Sequence, residues 1–68
     1  MKVLVNGRAV DLGDQPAVVQ AVDCLGISVL TPGVAVAVAG EVVPRAQWTT
    51  RKLREGETVE VVHAVQGG

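Results

Sequence analysis

Apolar residues in this chain come in short runs separated by glycine-containing breaks. Residues 2–5 form one run, ending in Asn6-Gly7, and residues 8–12 follow with Ala9 and Val10 apolar. Asn-Gly between two such runs predicts a β-hairpin, because both residues tolerate positive φ. Gly13-Asp14-Gln15-Pro16 then breaks the strand. Asp14 is the expected helix cap, and Pro16 suits the first turn. Val18, Val22 and Leu25 stand at i, i+4 and i+7, which is one helical face, and Gly26 supplies a left-handed stop. The spacing predicts a short helix over 16–25. Its β-branched valines give it weak intrinsic propensity, so packing against a sheet has to hold it.

Residues 27–33 read as a loop punctuated by Thr31-Pro32-Gly33. The continuous apolar run 34–39 predicts a strand buried on both faces. Gly40-Glu41 turns the chain, Val42-Val43 begins a short strand, and Pro44 ends its pairing because it donates no backbone hydrogen bond. Residues 45–51 are expected to be irregular or a single helical turn carrying Trp48. Glu55-Gly56 is a turn signal, and 58–65 is the last strand. The order β-β-α-β-β-β predicts an α+β fold of the ubiquitin-like β-grasp type. In it a mixed sheet of four to five strands packs on one main helix, with the first and last strands parallel. The expected division is a domain over 1–65 and a mobile tail over 66–68, since Gln66-Gly67-Gly68 has nothing to pack.

Composition supports this picture. At 68 residues there is room for one domain, and a domain of that size buries only about 60% of its unfolded surface. Hydrophobic residues at 49% against 19% charged mark a folded chain. Trp48 is the only aromatic residue, and valine dominates the apolar set. Valine's stiff side chain favours sheet. A net charge of -1 gives no basic face for nucleic acid. No apolar run approaches the ~20 residues of a membrane span, and the N-terminus reads as a strand rather than a signal peptide. Cys24 is the single cysteine and forms no internal disulfide. A cytoplasmic protein is the expected setting.

The chain carries no Cys/His metal spacing, phosphate loop or triad-like set. Cys24 lies toward the C-terminal end of the predicted helix, where the dipole disfavours a thiolate. It reads as an inert thiol. His63 has no partner in sequence for metal or nucleophile chemistry and reads as structural or interfacial. Glu60, Val62 and Ala64 share one face of the last strand, which does not separate cleanly into polar and apolar. Val62 and Ala64 are therefore candidates for a docking patch. Arg51, Lys52 and Arg54 form a small basic cluster that reads as a solvated face, with Arg54 a candidate partner contact. Trp48 reads as a core or rim anchor.

Two stretches resemble a known family. They are Val36 to Trp48, with Val43-Pro44-Arg45 followed by Trp48, and Leu53 to Gly68, ending in Gly67-Gly68. Together they are similar to ThiS, the sulfur carriers of thiamine biosynthesis, and the resemblance covers essentially the whole chain. The Gly-Gly ending is shared with the wider ubiquitin-like carriers. Gly40 departs from a position that is often Asn or polar in the family, which alters turn chemistry and not the site.

The resemblance implies a carrier that partner enzymes act upon, not an enzyme. An E1-like adenylyltransferase would use ATP and magnesium to adenylate the carboxylate of Gly68. Sulfur, ultimately from cysteine through a desulfurase, would convert it to a thiocarboxylate for thiazole synthase. Gly67 and Gln66 would thread the tail into the partner. Glycine suits that passage, because without a Cβ the backbone fits a narrow channel and the reacting carbonyl stays uncrowded. The small subunit of molybdopterin synthase has the same fold and tail and stays open as an alternative. So do a protein-conjugating modifier and a passive interaction module.

Overall fold

The computed structural model describes residues 1–64. Val65, placed at the end of the last expected strand, and Gln66, Gly67 and Gly68, the expected tail, lie outside the described residues. The elements are β1 (Lys2–Val5), β2 (Arg8–Asp11), α1 (Val18–Cys24), β3 (Val34–Val38), β4 (Glu41–Val42), a 3₁₀ turn (Arg45–Gln47) and β5 (Thr58–His63). They form one five-stranded sheet in the order β2-β1-β5-β3-β4. Every neighbouring pair is antiparallel except β1 and β5, which run parallel with Leu4 opposite Thr58 and Val5 opposite Val59. This is the ubiquitin-like β-grasp arrangement expected from the sequence.

The first hairpin turns where Asn-Gly predicts it. Asn6 (φ 52°) and Gly7 (φ 83°) both take the left-handed region, the condition for a two-residue turn that matches strand twist. Asn6 does more than turn the chain. Its Nδ2 donates to the Val61 carbonyl at 3.2 Å, and its Oδ1 accepts from the Val61 N–H at 2.8 Å. The side chain thus continues the parallel β1–β5 ladder after the β1 backbone has turned away.

Valine builds the core. Val3 and Val5 of β1, Val34, Val36 and Val38 of β3, and Val59 and Val61 of β5 all point to one face of the sheet and are buried there. Val18, Ala21 and Val22 of α1 pack onto them, and Val43, Trp48 and Leu53 close the edge. Burying each valine contributes on the order of 1.5–3 kcal/mol against exposure. That is how a helix of seven residues, too short to persist alone, is held.

The structure corrects several details. α1 is shorter than 16–25, and Leu25 is exposed rather than part of the buried face. The helix ends at Cys24, so Ala21 takes the inward position beside Val18 and Val22. Asp14 does not cap it. The N-cap is Ala17, whose N–H donates to Gln20 Oε1 at 2.6 Å. The unpaired N–H groups of the first turn are satisfied by remote carbonyls: Val18 donates to Arg51 and Val19 to Trp48, each at 3.0 Å. β3 is buried on one face only, with Ala35 exposed and Ala37 half-buried. α1 covers only the opposite face, and alanine exposes too little apolar area to demand cover. The second hairpin turns at Ala39-Gly40 (φ 50° and 84°) rather than Gly40-Glu41, which places β4 one residue earlier than expected. β5 is Thr58–His63, and Ala64, expected within the strand, lies past its end.

Candidate functional site

β5 carries the chain toward its C-terminus through the middle of the sheet. At its start it is held on both sides. Leu4 N–H donates to the Glu57 carbonyl and Ala39 N–H to Thr58, both at 2.9 Å. Beyond Val59 the β1 backbone no longer pairs with it, and the β3 flank continues: Val62 lies opposite Ala35 and His63 opposite Val34. Ala64, the last described residue, donates its N–H to the Gly33 carbonyl at 2.9 Å. This is the root from which Gln66, Gly67 and Gly68 follow. Those three candidate residues lie outside the described part.

The face of the sheet turned away from α1 is open among the described residues and mixed in character, with apolar side chains set around Glu60 and Thr58 of β5. Val62 is 61% exposed and Val42 75%. Val62 lies opposite Ala35 and Val42 opposite Ala37, while Leu4 pairs with Ala9 and Thr58. Glu60, also opposite Ala37, places a carboxylate between the two groups. Val62 and Ala64, the two candidate docking residues at the end of β5, are both exposed. The structure does not bring Arg54 to them. Arg54 precedes the other end of β5, where its N–H donates to Glu57 Oε1 at 2.9 Å. At about 3.3 Å per residue, the strand keeps it more than ~10 Å from Val62.

Two members of the basic cluster, Arg51 and Lys52, make internal side-chain bonds. Arg51 pairs with Glu57 at 3.2 Å and also donates to the Lys52 carbonyl. Lys52 Nζ reaches the Gln15 carbonyl at 3.5 Å, and its backbone bridges to Ala17. Burial alone would raise the Glu57 carboxyl, but the Arg54 N–H and the Arg51 guanidinium outweigh it and hold Glu57 below the usual carboxylate range. Asp11 is also held low, first by the Gly13 N–H and then by the N-terminal ammonium 3.1 Å away.

Cys24 is exposed, with Sγ donating to the Ala21 carbonyl at 3.1 Å. Desolvation and then the Asp23 charge raise its pKa, which keeps it a thiol and a poor nucleophile at neutral pH. His63 is exposed. No group of three or more His, Cys, Asp or Glu able to hold a metal, and no pocket, occurs among the described residues. No helix there is long and apolar enough to cross a membrane. Trp48 is a core anchor, buried, with Nε1 donating to the Val43 carbonyl at 2.9 Å.

Sequence reasoning missed two residues of the tail-bearing end. One is Asn6, read only as a turn former. The other is Arg45, whose guanidinium lies over the Trp48 ring, 4.5 Å from its centroid. The signal for the second was present, since residues at i and i+3 eclipse on a 3₁₀ turn.

A mixed five-stranded sheet on one short helix, with a central last strand running out toward Gly-Gly, defines a small ubiquitin-like β-grasp protein. The model of the ThiS family matches residues 3–68, and the chain belongs to that family. Two solved structures are similar. One is the crystal structure of thiamine biosynthesis protein ThiS from Geobacter metallireducens, with 27% identity over all of both chains and a TM-score of 0.75. The other is an NMR solution structure of a thiamine biosynthesis protein from the same organism, with 27% identity, all of this chain and 88% of that one covered, and a TM-score of 0.78. No curated protein matches the sequence significantly.

Proposed function

We propose that this chain is a sulfur carrier of thiamine biosynthesis, and that Gly68 bears the sulfur. The observation that supports the reading best is the ThiS-family match, which extends to residue 68. In the proposed cycle an oxygen of the Gly68 carboxylate attacks the α-phosphorus of ATP on an E1-like adenylyltransferase, and pyrophosphate leaves. ATP and magnesium belong to that partner. The acyl-adenylate carbonyl is then attacked by the outer sulfur of a persulfide that a desulfurase forms from cysteine, and AMP departs with the carboxylate oxygen, giving an acyl disulfide. A second thiol of the partner enzymes cleaves its S–S bond, taking the inner sulfur into a disulfide, and the C-terminus becomes a thiocarboxylate for thiazole synthase. The carrier acts as co-substrate rather than enzyme, in the cytoplasm beside these partners.

Within this reading Gln66 and Gly67 thread the tail into the partner. Ordering each such residue costs roughly 1–2 kcal/mol of backbone entropy. Docking through the open sheet face around Val62 and Ala64 offsets that cost. Arg54, at the other end of β5, stands outside this patch.

The test is the intact mass of the protein after incubation with the adenylating enzyme, ATP, magnesium and a sulfur source. Exchange of one oxygen for sulfur, lost on deletion of Gly68, is the expected result. Lysine conjugates would make the chain a modifier, and a reaction indifferent to Gly68 would overturn the proposal. Sulfur transfer to molybdopterin synthesis instead of thiazole formation would redirect it to the related carrier class.

A further inference from the structure

Arg45 opens the 3₁₀ turn after β4 and is bound in three directions. Its guanidinium stacks on Trp48, a ring fixed by burial and by its bond to the Val43 carbonyl. Its Nη1 donates to the Val29 carbonyl and its Nη2 to the Thr31 carbonyl, the latter at 2.7 Å. Both acceptors belong to the loop between α1 and β3. That loop has modest holds of its own: Leu30 and Thr31 N–H groups bond back to Ser28. Leu30, at its tip, is 87% exposed. A planar cation with a rigid donor fork, seated on an immobile aromatic face, therefore straps the loop to the edge of the core.

The far end of the same loop is Gly33, whose carbonyl accepts the Ala64 N–H. Gly33 has φ +79°, and a Cβ there would stand 3.4 Å from the Ala64 carbonyl oxygen and 3.6 Å from its Cβ. The β1 backbone pairs with β5 only as far as Val59, so β5 leaves the sheet along the side that this loop feeds. A continuous path runs from Trp48 through Arg45 and the loop to Ala64, four residues before Gly68.

We infer that Arg45 is a positioning residue for the carboxyl-terminal segment: by strapping the 27–33 loop it fixes Ala64, and so sets how readily Gly68 engages an adenylating partner. The inference rests on the proposed carrier function. Arg45 touches no reacting atom, so its effect belongs in the encounter with the partner rather than in the chemical step.

Two readouts test it on the full chain. Amide exchange by NMR needs no partner. Arg45→Met should accelerate exchange at Ala64 about tenfold, as loss of charged hydrogen bonds implies, while Val59 and Val36 stay unchanged. Arg45→Lys, which keeps the charge without the fork, should fall between. In steady-state adenylation, Arg45→Met should raise KM for the carrier several-fold with kcat little altered. Gly33→Ala, which disturbs the last link and leaves Arg45 intact, should raise KM likewise, and it decides the matter should Arg45→Met not fold. Unchanged exchange at Ala64, equal acceleration at Val59, or an unaltered KM in both variants would overturn the inference. Failure of the wild-type chain to be adenylated at all would instead overturn the carrier function.

Discussion

The two ends of β5 are built differently. At its start the strand is gripped by β1 and by the turn after β3, and the preceding Glu57 is tied by the Arg54 N–H and Arg51. At its end the β1 backbone is gone, an asparagine side chain stands in for it, and exposed residues face outward. One strand is thus a structural spine over its first half and, under the proposed function, the base that presents the tail over its second. A carrier domain needs both, because the tail must be presented from a fixed base without the base depending on the tail.

Val59→Ala and Val62→Ala break the comparison most directly. Val59 is fully buried, so its truncation should cost about 2–3 kcal/mol, a fall in Tm of roughly 10–20 °C for a domain of this size. Val62→Ala, three residues on, should shift stability by less than about 0.5 kcal/mol while weakening association with the adenylating partner. Thermal melts and a binding isotherm check the pair. Asn6→Gly comes next. It keeps the left-handed turn but removes both bonds to Val61, and chemical denaturation should show a loss of about 1–2 kcal/mol.

The smallest effect concerns acid. Glu57 and Asp11 titrate below their unfolded values in the folded chain. The stability they confer is present above the unfolded pKa near pH 4 and is lost as pH falls through the folded pKa. Denaturation midpoints should therefore drop on acidification below about pH 4. Glu57→Gln should flatten part of that drop while costing under about 1 kcal/mol at neutral pH, since its Arg51 partner is about a third exposed.

What the sequence revealed follows from locality. The Asn6-Gly7 hairpin is encoded by two adjacent residues. The parallel pairing of β1 with β5 follows from the order of elements, in which the helix carries the chain from β2 across to β3 and leaves the last strand to enter between β1 and β3. The cap of α1 was illegible because carbonyls at Trp48 and Arg51 supply it, some thirty residues along the chain. The one-sided burial of β3 was misread because valine and alanine both count as apolar. The Val-Ala-Val-Ala-Val alternation is a period-2 pattern in size rather than polarity. Val62 and Ala64 were legible as outward residues from strand parity. For Arg45 only the stacking on Trp48 was legible, from the i, i+3 spacing; its hold on the loop was not, since those acceptors lie 14 and 16 residues away.

Trp48 is the sole aromatic residue, with no tyrosine or phenylalanine beside it. Ultraviolet emission from this protein therefore comes from a single indole. That indole is at once part of the core, hydrogen-bonded to Val43, and the seat of the Arg45 cation. The molecule carries its own optical probe at the joint between the sheet edge and the 27–33 loop, and one fluorescence trace, without any label, should report both unfolding and release of that joint.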